Sequence, residues 1–140
     1  MAEFVAPLAQ EVAINQNVLF TNEAVRGKRG VFHREGSGIV TLKACNAQCR
    51  ALYKVTFGGN IAIPTGGTVG EISLAIAVEG EALASAAMIE TPAAVEEFSN
   101  VFSAVVVSVP VGCCVTVSVR NTSDQAITVQ NANLIVERIA

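Results

Sequence analysis

At 140 residues the chain has room for one domain with a real core. Apolar residues make up 51% and charged ones 15%, against roughly 25% charged in an average globular protein, and a net charge of −3 argues against a nucleic-acid partner. Either Ser, Thr, Asn and Gln coat the surface or copies of the chain cover one another; the second reading is preferred and makes the chain an obligate oligomer.

Met1 to Asn17 reads as an N-terminal arm, an extended strand or a tether, with Pro7 inside it. It lacks the basic segment and apolar run of a secretory leader. The domain proper is set at residues 18–140. VLFT from Val18 gives the first strand signal, followed by a turn-rich basic loop through Gly27 and Gly30. Arg26, Lys28, Arg29 and Arg34 cluster here, whereas no Lys or Arg lies between Lys54 and Arg120, a stretch holding Glu71, Glu79, Glu81, Glu90, Glu96 and Glu97. That polarity either orients the subunit on a charged surface or reflects solvated loops.

VFHRE, IVTLKA and ALYKVTF follow as strands, with turns at Gly36-Ser37-Gly38, Gly58-Gly59-Asn60, Pro64 and Gly66-Gly67. EISLAIAV alternates Ile72, Leu74, Ile76 and Val78 with the small residues Ser73, Ala75 and Ala77. The large face suits a core, and the small face suits close approach by another surface. Residues 81–98 have helix-forming composition, but Glu79-Gly80 and Thr91-Pro92 favour a strand over 82–89 with one helical turn after Pro92. Residues 98–119 are uncharged and long enough to cross a bilayer. Pro110, Gly112 and the alternating polar residues make them two strands and a turn, so no membrane span is expected. NVFSAVVVSV, CCVTVSVRN and AITVQ…NLIVERI close the chain as strands. Eight or more short strands without a convincing amphipathic helix give an all-β sandwich or barrel.

The order of these pieces resembles the jelly rolls of the C1q/tumour-necrosis-factor superfamily. EISLAIAVEGEAL is similar to that superfamily's strand–Gly turn–strand hairpin, VVVSVPVGCCVTVSVRN to its later hairpin, and ANLIVERIA to its closing strand. One departure is Cys113, where the family commonly has an acidic residue after the glycine. The resemblance covers residues 18–140 and implies an antiparallel jelly-roll β-sandwich, TNF/C1q-like, that forms a homotrimer. It also implies that the closing strand runs down the trimer's centre, which makes Ile127, Val129, Leu134 and Val136 the expected oligomer interface. Small members of this kind resemble structural proteins of bacteriophages, prophages and spore coats of Gram-positive bacteria. The expected function is therefore a non-enzymatic subunit decorating a phage capsid or fibre, located on the virion. The alternative is a glycan- or receptor-binding trimer at a bacterial cell or spore surface.

No constellation argues for catalysis. A Ser–His–Asp system would need His33 and Asp124, the one His and the one Asp. Glu96 and Glu97 are sequence neighbours on a loop, without the aromatic-lined cleft a glycosidase wants. Gly66-Gly67-Thr68-Val69-Gly70 lacks the Lys of a phosphate loop and reads as a turn. Four cysteines are the number a zinc site needs, but Cys113 and Cys114 are adjacent and a strand points them to opposite faces. Buried thiols are the first reading, with Cys113 or Cys114 acting as a small hydrophobe. A Cys45–Cys49 disulfide is the second, feasible in an oxidising setting. No metal and no cofactor are expected.

Overall fold

The computed structural model describes residues 1–27, 30–44, 50–112 and 114–140. Among the described residues eleven strands run in chain order: β1 Ala2–Ala6, β2 Gln10–Val12, β3 Asn22–Val25, β4 Val31–His33, β5 Val40–Lys43, β6 Ala51–Ala62, β7 Ile72–Val78, β8 Glu81–Glu90, β9 Ser99–Val109, β10 Cys114–Asn121 and β11 Ile127–Arg138. They form two antiparallel sheets. The first is ordered β3-β1-β11-β6-β9, with β2 also pairing β11, and the second is ordered β4-β5-β10-β7-β8. Of the sandwich and the barrel that the strand pattern allows, the sandwich forms, with the jelly-roll fold that the resemblance implies. No helix among the described residues is long and apolar enough to cross a membrane, and residues 98–119 are the end of one loop, β9, a turn and β10.

Period-two alternation drives the architecture, because successive side chains of a strand point to opposite faces. In β6 the residues Tyr53, Val55, Phe57 and Ile61 are fully buried between the sheets. Ile72, Leu74 and Ile76 of β7 face them, as the large-residue face of that strand predicts. Strand β8 holds through the Ala-rich segment, as the Glu79-Gly80 turn indicated. That turn has φ 55° at Glu79 and 79° at Gly80, the two left-handed residues that a two-residue hairpin requires. A glutamate rarely sits so. Here its N–H donates to Thr116 O at 2.9 Å and its Oε1 accepts from Thr116 N at 2.7 Å, so the turn is stitched onto β10.

Several sequence expectations are corrected. Gly58-Gly59-Asn60 is not a turn but the middle of β6. A Cβ on Gly59 would lie 3.3 Å from Ala132 Cα and 3.4 Å from Phe57 Cζ, so the glycine permits close packing against β11 and does not bend the chain. No helical turn follows Pro92. Instead Glu96 adopts φ 59°, its N–H donates to Ile63 O at 2.7 Å, and its Oε1 accepts from Thr65 Oγ1 at 2.5 Å. The regular strand β3 begins at Asn22, not Val18, although Val18 and Phe20 are buried and bonded to Val119 O and Ser37 O. Within the first seventeen residues, Ala2–Ala6 pair along Ala132–Val136 and Gln10–Val12 along Ile127–Val129 in the first sheet, and Asn15 to Asn17 run beside β10 of the second. Of the two readings of that arm, extended strand is the one found.

Candidate functional site

Strand β11 places the residues expected at the oligomer interface, and it places them inward. Ile127, Val129, Leu134 and Val136 are each fully buried between the two sheets, so they build the core and no partner can reach them. The pairs 127/129 and 134/136 differ by an odd step, and an uninterrupted strand would put them on opposite faces. A bulge reconciles them. The register with β6 shifts between Gln130 and Asn133, and Asn131 takes φ 55°, a left-handed conformation that asparagine tolerates.

The face that does look outward belongs to the alternate residues of the same sheet. On β9, an edge strand, these are Asn100, Phe102, Ala104, Val106 and Ser108, all exposed and none charged. Phe102 is 67% exposed and Val106 55%. Register carries the face inward from that edge. Ala104 stands beside Thr56, then Ile135, then Glu3; Phe102 stands beside Gly58, then Asn133, then Val5. Gly58 puts no side chain between Phe102 and Asn133, and a Cβ there would lie 3.0 Å from Asn133 Oδ1. One end of the face is charged, with Lys54 opposite Glu137.

The other end is a polar ladder. Asn100 Nδ2 donates to Asn60 Oδ1 at 3.1 Å, Asn60 Nδ2 to Asn131 Oδ1 at 3.1 Å, and Asn131 Nδ2 to Pro7 O at 3.4 Å. The sequence signal for this face was present, since Phe102 and Val106 alternate with the buried Val101, Ser103 and Val107 of an apolar strand.

The small face of β7 is less open than its residues suggested. Ala75 and Ala77 are already buried within the chain, and Ser73 Oγ is hydrogen-bonded to Thr122 Oγ1 at 2.6 Å. A polar cleft of about 510 Å³ lies at that end of the sandwich, lined by residues that include Glu71, Thr122 and Asp124. Its walls are fixed by Gln125, whose Oε1 accepts from Thr68 N at 3.0 Å and whose Nε2 donates to Thr68 O at 2.7 Å.

Residues considered for chemistry are not brought together. The His33 ring is buried against Phe4 at 4.5 Å between centroids, with Nδ1 3.3 Å from Glu23 Oε1 and Nε2 2.8 Å from Ser37 O. Asp124 lies in the loop after β10 and lines the cleft with Glu71, so the two members of a hydrolytic triad are not paired. Glu96 is tied down by Thr65, as described above. Among the described residues no group of three or more His, Cys, Asp or Glu gathers where a metal could bind. Cys114 is exposed at the start of β10, which corrects the buried-thiol reading at that position. Cys45, Cys49 and Cys113 lie outside the described residues, and with them the Cys45–Cys49 disulfide.

No protein-family model matches the chain, and no curated protein matches it by sequence. Solved structures do match. The Eiger TNF of S. frugiperda aligns over 99% of this chain and 91% of its own, with a TM-score of 0.72 at 15% identity. The globular domain of zebrafish complement 1qA aligns over 96% and 94%, with a TM-score of 0.64 at 12% identity. Murine APRIL aligns over 95% and 97%, with a TM-score of 0.58 at 13% identity. At such identities the likeness is one of fold, and the chain has the jelly-roll fold of C1q and TNF domains.

Proposed function

We propose that the chain is a non-enzymatic structural module that assembles with copies of itself, as a homotrimer, through the outer face of the first sheet. The observation that carries this is the uncharged outer row of β9, with Phe102 at 67% exposure. Sheet edges that stay in water are commonly blunted with lysine, proline or short length. Strand β9 has eleven residues and none of these devices. A phenylalanine side chain offers about 200 Å², so covering Phe102 removes on the order of 130 Å² from water, worth about 3 kcal/mol per copy. The β9 edge of one copy set against the β11 and β1 region of the next is a head-to-tail contact, which closes into a ring when its rotation is threefold. The homotrimer is also what the sequence resemblance to the C1q/tumour-necrosis-factor jelly rolls implies.

Such a trimer suits decoration of a larger assembly. A phage capsid or fibre is the reading preferred from the sequence, with a bacterial cell or spore surface as its rival. The test of self-association is Phe102→Glu. The variant should keep the far-ultraviolet β signature and elute as a single 14.5 kDa chain, while the parent scatters light with three times that mass. A variant that assembles like its parent would refute the assignment of this face. Copurification of the parent with virion or coat proteins tests the decorating role.

A further inference from the structure

Beyond self-association, the outer side of the second sheet holds a pocket of about 400 Å³ where four segments meet. The segment 15–18 runs beside the second half of β10: Asn17 bridges Arg120, Asn15 N donates to Asn121 O at 3.1 Å, and Val18 N to Val119 O at 2.8 Å. Strand β5 takes over the same edge of β10 from Val117 to Cys114. At the junction Gly38 comes so close that a Cβ there would sit 2.6 Å from Val18 O. The Glu79-Gly80 turn closes the pocket from the β7 side, and Ile39 supplies an apolar wall.

What the pocket offers a ligand is open bonding capacity of both signs. Arg120 Nη1 donates to Gly80 O at 2.8 Å, and the rest of its five-donor fork has no protein partner among the described residues. Among the described residues no carboxylate forms an ion pair with it. Glu79 uses Oε1 on Thr116, and its Oε2 is unengaged.

The geometry points to a binding site for a zwitterionic ligand of the α-amino-acid type, its carboxylate on the Arg120 fork and its ammonium on Glu79 Oε2. A simple anion would meet the Glu79 charge, and a simple cation that of Arg120. A ligand carrying both charges satisfies the two groups together, with an apolar substituent against Ile39. Arg guanidinium matches a carboxylate in the two-point geometry that lysine cannot offer. Asn15, Asn17 and Ser118 also line the pocket.

The test is an NMR titration of the isotope-labelled full chain with L-leucine, N-acetyl-L-leucine (anion only) and L-leucine methyl ester (cation only). L-Leucine should shift the Arg120 Nε–H and the Glu79 and Thr116 amides saturably. Each single-charge analogue should bind about tenfold or more weakly, the loss of one charged hydrogen bond. Arg120→Gln should abolish the response. Glu79→Gly suits the left-handed turn, keeps the fold, and should erase the preference for L-leucine over its N-acetyl form. The proposal is overturned if L-leucine gives no saturable shift, if all three ligands bind alike to the parent, or if Glu79→Gly keeps the parent's preference.

Discussion

Strand β11 offers a pair of adjacent substitutions with opposite expected outcomes. Leu134 is fully buried and paired in register between Phe4 and Phe57, and Ile135 is its half-buried neighbour on the outer face. Leu134→Ala removes three carbon atoms from a close-packed core and leaves a cavity, which costs about 3 kcal/mol within the usual range of 2–5. For a chain of this length 1 kcal/mol moves the melting temperature by roughly 3 °C, so the expected drop is about 10 °C. Ile135→Ala should lower it by no more than about 3 °C, because the outer face of a single chain is already partly wet. Both are best made in the Phe102→Glu background, where assembly no longer adds stability by mass action, and followed by circular dichroism against temperature. If Leu134→Ala melts within about 2 °C of its parent, or Ile135→Ala loses as much, the inward phase of the strand is wrong.

Further substitutions probe the joints of the sandwich. Buried Asn121 donates from Nδ2 to Val12 O and Gln125 O at 3.0 Å each, and its Oδ1 accepts from Ser123 N at 2.9 Å. Asn121→Ala leaves these groups unsatisfied and should lower the free energy of urea unfolding by about 2–4 kcal/mol. Asn131→Val forces a β-branched residue into φ 55° and cuts the asparagine ladder, so a loss of about 2 kcal/mol or more is expected by the same assay. Gly38→Ala places a methyl 2.6 Å from Val18 O and 2.8 Å from Asn17 Cβ, and should cost about 1–3 kcal/mol as the 15–18 segment is pushed off β10.

Much of the sandwich was legible because alternation is written directly into the residues. The strand at 82–89 could be read against its helical composition, since Glu79-Gly80 marks a hairpin and local propensity yields to tertiary pairing. What was misread concerns backbone events with no residue signature of their own. Gly58-Gly59 looks like a turn in one dimension and serves as a close-packing point in three, because only the approach of Ala132 explains why a side chain is excluded. Asn131 reads as a polar residue in a strand, yet it is the bulge that turns Leu134 and Val136 to the same side as Ile127 and Val129. Without that bulge the phase of β11 cannot be followed from end to end, and the resemblance that puts the closing strand at a trimer's centre does not say which of its side chains face the core. The Arg120 pocket joins residues 15, 39, 79 and 120, a convergence that depends on which strands are neighbours and not on spacing.

The mass of the unmodified chain in solution bears most directly on this account, measured by native mass spectrometry from nanomolar to high micromolar concentration. Three copies of the 14.5 kDa chain, persisting into the low micromolar range, is the result expected from the uncharged face around Phe102. A lone 14.5 kDa species at every concentration would mean that water tolerates that face, and the proposal of self-association would be lost.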